Sequence, residues 1–208
     1  MFVTATSPPS KLSQPVSQQT AYIHDAEDER RWGRDTLKEE GRCVMYDSCG
    51  KKGGIFGQDI PCAWNPSKLT PCVNAQADDT LRSQLASVCG DVASSWDHVC
   101  CNSDQLNILS QNLARAEPLI ATCPACRKNF RSFYCAFTCS PNQSTFVTVS
   151  QVQDLGHPAK PAVSKVQFSV SSSFGEGFYK SCSSVKFGAT NGLAMDLIGG
   201  GARNWTDF

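Results

Sequence analysis

Between Cys123 and Pro141 the chain reads CPACRKNFRSFYCAFTCSP, four cysteines and an apolar stripe in one segment. Phe130, Phe133, Tyr134 and Phe137 recur at i, i+3, i+4 and i+7, the pattern of an amphipathic helix with one buried face. Pro124 suits the first turn, where its missing N–H costs nothing. At about 100° per residue, Cys123 and Cys126 join the aromatic stripe while Cys135 and Cys139 lie on the opposite face. A helix gripped from two sides is central to any fold that contains it. Upstream stand Cys43, Cys49, Cys62, Cys72, Cys89 and the adjacent pair Cys100-Cys101, and Cys182 follows.

Twelve cysteines beside only three histidines point to disulfides, and disulfides to secretion or an organelle lumen. They do not compensate for a small core, because a chain of 208 residues buries roughly 70% of its unfolded surface. Lys+Arg and Asp+Glu both number 19, so no global field favours nucleic acid or an anionic membrane surface. Asn142-Gln143-Ser144 and Asn204-Trp205-Thr206 are glycosylation acceptor patterns, in keeping with a lumenal location. The first twenty residues lack the basic start and apolar run of a signal peptide, and no stretch is long and apolar enough to span a membrane. The cysteines outweigh the missing signal, and the expectation is an incomplete lumenal chain.

Residues 1–40, rich in Ser, Pro, Gln and alternating charge, read as a disordered, solvated lead-in. Residues 42–75 place four cysteines among Gly and Pro, a looped and stapled segment. ADDTLRSQLASVCG (77–90) predicts a helix with acidic residues in its first turn and Gly90 as its stop. Ser103 is the expected cap of a second helix, ended by Pro118, with Leu106, Leu109 and Leu113 facing inward. Residues 144–150 and 164–171 alternate and read as strands. Phe174, Phe178 and Cys182 predict a further short helix, and residues 192–205 an apolar turn with a glycine cluster. The class expected is α+β: a disulfide-rich single domain over 41–208, with several helices packed on a small mixed or antiparallel sheet.

No catalytic constellation emerges. CPAC has the spacing of a redox dithiol, but it follows an amphipathic helix amid many other cysteines, which favours structural half-cystines. A zinc site built from Cys123/Cys126 and Cys135/Cys139 would need ligands on opposite helix faces, so no metal or other cofactor is expected. His24, His98 and His157 are scattered, and Asp78-Asp79 is better read as helix N-terminal charge than as an acid/base pair. A binding site fits better. Gln105, Leu109 and Asn112 share a narrow stripe of one helix, and a carboxamide at the edge of an apolar face can donate to and accept from one hydroxyl. That would orient a greasy ligand in an apolar pocket.

RCVMYDSCG (42–50), the CC-x3-QL-x6-NL pattern from Cys100 to Leu113, and CPACRKNFRSFYCAFTCSPNQSTF (123–146) resemble the lumenal N-terminal domain of the Niemann–Pick type C sterol transporter family, with a fungal flavour. The resemblance covers residues 41–208. It implies a non-enzymatic α+β unit at the front of a membrane-embedded protein of the lysosome or vacuole. Such a unit takes a sterol (ergosterol or cholesterol) from a small soluble lumenal carrier, 3β-hydroxyl inward, and passes it toward the membrane. Residue by residue, it implies Gln105 as the hydroxyl anchor, Leu109 and Tyr134 as pocket wall, and Met45 and Ser48 near the pocket. Pro61 stands where animal members have an asparagine that shares the hydroxyl, and its side chain cannot donate. Leu197 and Ile198 match an exposed apolar pair that hands the sterol on. The implied disulfides are Cys43–Cys100, Cys49–Cys62, Cys89–Cys135, Cys101–Cys139 and Cys126–Cys182. Cys72 has no counterpart, and the partner of Cys123 lies beyond residue 208.

Two rival readings differ in class. One is a thiol–disulfide oxidoreductase working through Cys123 and Cys126, which a Cys126–Cys182 bond would remove. The other is a cysteine-rich receptor module for another ligand, which competition with labelled sterol would separate.

Overall fold

The computed structural model describes residues 38–52, 58–65, 69–155, 161–187, 192–198 and 201–207. These fall into two compact units, 38–110 with 134–169 and 111–133 with 170–207. His24, His157 and most of the lead-in lie outside the described residues. The main elements are β1 (Met45–Lys52), β2 (Gln58–Ala63), α1 (Asp79–Cys89), α2 (Ser103–Ala116), α3 (Pro124–Cys139), β3 (Val147–Gln153), β4 (Ala162–Phe168), α4 (Ser172–Cys182) and α5 (Ala194–Ile198). The class is α+β and disulfide-rich, and every strand pairing described is antiparallel.

In the first unit a four-stranded sheet runs in the order β1-β2-β4-β3. The β3–β4 pair brings Val149 opposite Val166 and Val152 opposite Val163. Val147, Val149, Ala162 and Val163 are buried, the outcome expected of β-branched residues on a half-buried pleat. Residues 144–150 do not form one strand: a single helical turn, Gln143–Phe146, precedes β3, and β4 begins at Ala162 rather than 164. Helix α1 starts where its charges direct. Asp78 accepts from the N–H groups of Thr80 and Leu81 (2.9 and 3.0 Å), and Gly90 ends the helix at φ +55°.

Four disulfides cross this unit: Cys43–Cys100, Cys49–Cys62, Cys89–Cys135 and Cys101–Cys139. Their sequence separations run from 13 to 57, which through chain entropy is worth about 3–4 kcal/mol each. They tie β1 to β2, the residues leading into β1 to those leading into α2, and both α1 and the residues leading into α2 to the end of α3. The end of α3 has a problem that Pro141 creates. Proline has no N–H, so the carbonyl of Phe137 loses its ordinary i+4 donor. Gln143 supplies one instead: its Nε2 donates to Phe137 O at 3.0 Å and Thr138 O at 3.3 Å. Its Oε1 accepts from Val44 N and Met45 N at 3.0 and 3.1 Å. A fully buried carboxamide thus closes a helix and pins the strand beside it, with no lone pair or proton unused.

The second unit has an aromatic core and its own staple. Phe133, Phe174 and Phe178 lie with ring centroids 6.0–6.5 Å apart, and Cys126 is bonded to Cys182. Asn129 Nδ2 donates to Ser181 Oγ at 3.0 Å, and Arg131 forks onto Glu117 at 2.7 and 2.8 Å. Gly175 is there for space: a Cβ would meet the ring of Trp205 at 2.8 Å. Helix α5 occupies the start of the glycine-rich segment that reads as a turn in sequence.

Candidate functional site

The site is built on a break in the β1–β2 hairpin. Tyr46 pairs with Cys62 and Ser48 with Pro61, so Asp47 is an extra residue on β1 opposite a strand that has no N–H to offer at Pro61. Asp47 sits at φ +69°, the left-handed region that aspartate tolerates better than most residues. This turns its backbone N–H out of the ladder and onto Gln105 Oε1 at 3.0 Å.

Gln105 stands in the first turn of α2, where the cap is Asn102 and not Ser103. Asn102 Oδ1 accepts from Gln105 N at 2.9 Å, and Gln105 Oε1 accepts from Asn102 N at 3.2 Å, a reciprocal capping box. The carboxamide of Asn102 satisfies the donor better than the Ser103 hydroxyl because it sits one residue earlier, with its side chain over the open N–H groups. Asn102 Nδ2 reaches Asp47 Oδ1 at 3.2 Å, which also accepts from Ser48 N at 2.9 Å. Asp47, Asn102 and Gln105 therefore form a closed ring of hydrogen bonds. Two backbone N–H groups point at the Gln105 oxygen, which fixes the orientation of its amide and leaves Nε2 without a partner among the described residues.

The structure puts Met45, Asp47, Ser48, Pro61 and Gln105 around one hairpin. Met45 is buried on β1, and Leu109 is buried one turn along α2 from Gln105. Ser48 Oγ faces Asp59 Oδ1 at 3.5 Å and accepts Gly50 N at 3.4 Å. Tyr134 is buried in the same unit, and burial pushes its phenol up to about 12. Asn112 is half-buried on α2 but belongs to the second unit, as do Leu197 and Ile198. Ile198 is buried, at 9% exposure, so it does not match the exposed pair that the resemblance implies. The side chain of Leu197 lies outside the described residues.

Asn142 is exposed, with Gly41 N at 3.3 Å from its Oδ1, whereas Ser144 is fully buried and bonds the backbone of Glu39 through both N–H and C=O. Asn204 and Thr206 are both exposed.

The cysteine chemistry is also fixed. Cys126 is bonded to Cys182, so it forms no dithiol with Cys123, which instead donates to Ser181 O at 3.4 Å. The sulfurs of Cys43, Cys72 and Cys100 lie within 4.8 Å of one another, but two are consumed in a disulfide and only Cys72 keeps a thiol. Its sulfur is 3.5 Å from Cys43 Sγ and 3.4 Å from Cys100 Sγ. Near-equal distances place it beside the S–S bond, off the axis along which a thiolate must attack. Burial pushes its pKa up to about 11, and it donates to Pro141 O at 3.1 Å. It is a packed thiol, not a nucleophile.

Sequence reasoning missed Asp47, Asn102 and Gln143. The signals existed: N-x-x-Q before an apolar run for the capping box, and a Pro two residues past a helix end for the orphaned carbonyl.

The sequence model described as "Niemann-Pick C1 N terminus" matches residues 40–208. The chain is 32% identical to the human "NPC1-like intracellular cholesterol transporter 1" over 186 residues, covering 83% of this chain and 13% of that protein. It is 28% identical over 178 residues to the Caenorhabditis elegans "NPC intracellular cholesterol transporter 1 homolog 1" (80% of this chain, 13% of that protein). To the Sus scrofa "NPC intracellular cholesterol transporter 1" it is 30% identical over 177 residues, with the same coverage of 80% and 13%. The chain thus spans about an eighth of the length of these relatives, at 13%. Among the described residues, no helix is long and apolar enough to cross a membrane.

Proposed function

The chain belongs to the Niemann-Pick C1 N-terminal family, and from that premise we propose that residues 41–208 form a lumenal domain that binds a sterol and passes it on without chemical change. The observation that carries this is the state of Gln105: oriented by two backbone N–H groups, half-buried, and with an amide donor to spare. A sterol hydroxyl buried without a partner would cost about 1–3 kcal/mol, so one pre-set donor decides which end of the molecule enters. Met45, Leu109 and Tyr134, buried in the same unit, supply the apolar surface from which affinity comes. Ser48 and Pro61 flank the anchor, and Pro61 contributes shape only.

The ligand is cholesterol or ergosterol, delivered by a small soluble lumenal carrier. The setting is the vacuolar or lysosomal lumen at the front of a membrane-embedded parent. Asn142 and Asn204 are its glycan acceptors, and Leu197 marks the transfer face on α5. The test is equilibrium binding of a labelled sterol to the native chain and to Gln105→Ala. The variant should bind several-fold more weakly and should lose its preference for the 3β-alcohol over the 3-ester. Equal binding of both ligands to both proteins removes Gln105 from this role.

A further inference from the structure

We infer that Gln105 offers its ligand a hydrogen-bond donor and nothing else, so that the site selects for an acceptor oxygen at the sterol 3-position and takes a 3-ketone as readily as a 3β-alcohol. This rests on the sterol reading above and narrows its ligand class.

The argument starts from valence. An amide oxygen has two lone pairs, and Asp47 N and Asn102 N occupy both, at 3.0 and 3.2 Å. A flip of the amide would turn NH2 onto two N–H groups and lose both bonds, so the orientation is locked. The lock is itself braced. Asp47 holds φ +69° while its Oδ1 accepts from Ser48 N and Asn102 Nδ2, and Asn102 Oδ1 in turn accepts Gln105 N. Asp47 is a positioning residue: its backbone N–H, turned out by the bulge, spends the lone pair that a ligand hydroxyl proton would otherwise use.

The neighbours do not change the polarity of Gln105 itself. Pro61, across the hairpin from Ser48, has no polar side-chain atom. The Ser48 hydroxyl spends its proton toward Asp59 Oδ1 and one of its two lone pairs on Gly50 N, and the oxygen it has left is an acceptor on β1, not on Gln105. What remains toward a ligand is the Nε2 group of Gln105, two N–H bonds with no partner among the described residues. An alcohol and a ketone both present lone pairs to it, and a hydrocarbon presents none.

A saturated series keeps ring shape constant: 5α-cholestan-3β-ol, 5α-cholestan-3-one and 5α-cholestane, each competed against a labelled sterol on the native chain. The alcohol and ketone should bind within about threefold of each other, and cholestane about tenfold more weakly, the ratio that 1.4 kcal/mol gives. Gln105→Glu supplies the inversion. Glutamate fills the same capping-box position, so one carboxylate oxygen keeps the backbone N–H pair while the other faces the ligand as an acceptor. In that variant the alcohol is retained and the ketone falls by about tenfold or more. A native protein that binds the ketone tenfold or more below the alcohol overturns the inference, as does an unchanged alcohol-to-ketone ratio in Gln105→Glu. Loss of the sterol reading itself looks different: none of the three ligands competes, and both conclusions then fall; an alcohol affinity unchanged in Gln105→Leu overturns the anchor role and this inference while sterol binding stands.

Discussion

Two glutamines hold the same strand and end in opposite states. Gln143 pins the approach to β1 at Val44 and Met45, and Gln105 pins its bulge at Asp47. Each carboxamide oxygen accepts from two backbone N–H groups. Gln143 also spends both amide protons, on the Phe137 carbonyl that Pro141 strands at the end of α3 and on that of Thr138, and it is fully buried. Gln105 spends neither among the described residues and is half-buried. Chemically identical side chains thus become a structural clasp and a candidate ligand anchor. The difference lies in how many of their four bonds the chain itself consumes, not in residue type.

The clasp is where the largest effect is expected. Gln143→Ala leaves two N–H groups and the Phe137 carbonyl without partners in a buried place, and the Thr138 carbonyl at its half-buried edge. At about 1–3 kcal/mol per unsatisfied buried group, partly relieved by relaxation, the variant should lose about 4–5 kcal/mol of stability by denaturant titration. A loss below about 1 kcal/mol, the range of exposed positions, would mean that this side of the strand is wet and the contrast with Gln105 is false.

Alkaline pH probes the same dryness without a cavity. Tyr134 has its pKa raised from 10.0 to about 12 by burial, so the folded state favours the neutral phenol. Its contribution is fully present below pH 10 and is lost as pH rises toward about 12, because the unfolded chain ionises first. A displacement of that size corresponds to about 2–3 kcal/mol. The loss of stability over that window should shrink in Tyr134→Phe, and an unchanged slope in that variant would show the phenol to be hydrated. Cys72, also raised by burial, adds a parallel loss beginning lower, from 9.0.

The sequence carries the clasp and the anchor unequally. Helix α3 is legible from its aromatic spacing, α1 from its charges and glycine, and the β3–β4 half of the sheet from alternating valines, because each of these patterns is local; β1 and β2 lie in the segment that reads as looped, where Gly, Pro and Cys interrupt any alternation. Gln105 stands out only because the stripe on α2 and the family likeness single it out. Its donor-only state depends on Asp47, more than fifty positions earlier, adopting a left-handed bulge opposite a proline. No periodicity encodes that. Gln143 is not legible because a polar residue in a glycosylation pattern reads as surface, whereas the carbonyl it serves is orphaned by a neighbour two positions away. Disulfide partners are likewise non-local: spacing said that cysteines were bridged, and only the likeness to a known family implied a set of pairs.

Asp47 tests the anchor side at intermediate cost. Asp47→Val puts a β-branched residue at φ +69° and removes the acceptor for Ser48 N and Asn102 Nδ2, for an expected loss of about 2 kcal/mol. Asp47→Gly keeps the turn and the N–H on Gln105, so it should cost roughly half as much. Equal losses would show that backbone conformation does not set this corner, and the capping box alone would then have to orient Gln105.

Gln105→Ala should have the smallest effect on stability, and that is the sharpest use of the comparison. The substitution removes one half of a capping box and one acceptor for the Asp47 N–H. Both exposed donors lie at a half-buried edge, where water replaces an oxygen at little cost. A cap of this kind is worth about 1 kcal/mol, several times less than the clasp. A thermal or denaturant midpoint lowered as far as in Gln143→Ala would make Gln105 a second structural clasp, and any loss of ligand in that variant would report unfolding. A small shift accompanied by weakened sterol binding separates the two roles, because only a side chain with unspent bonds can matter more to a ligand than to the fold.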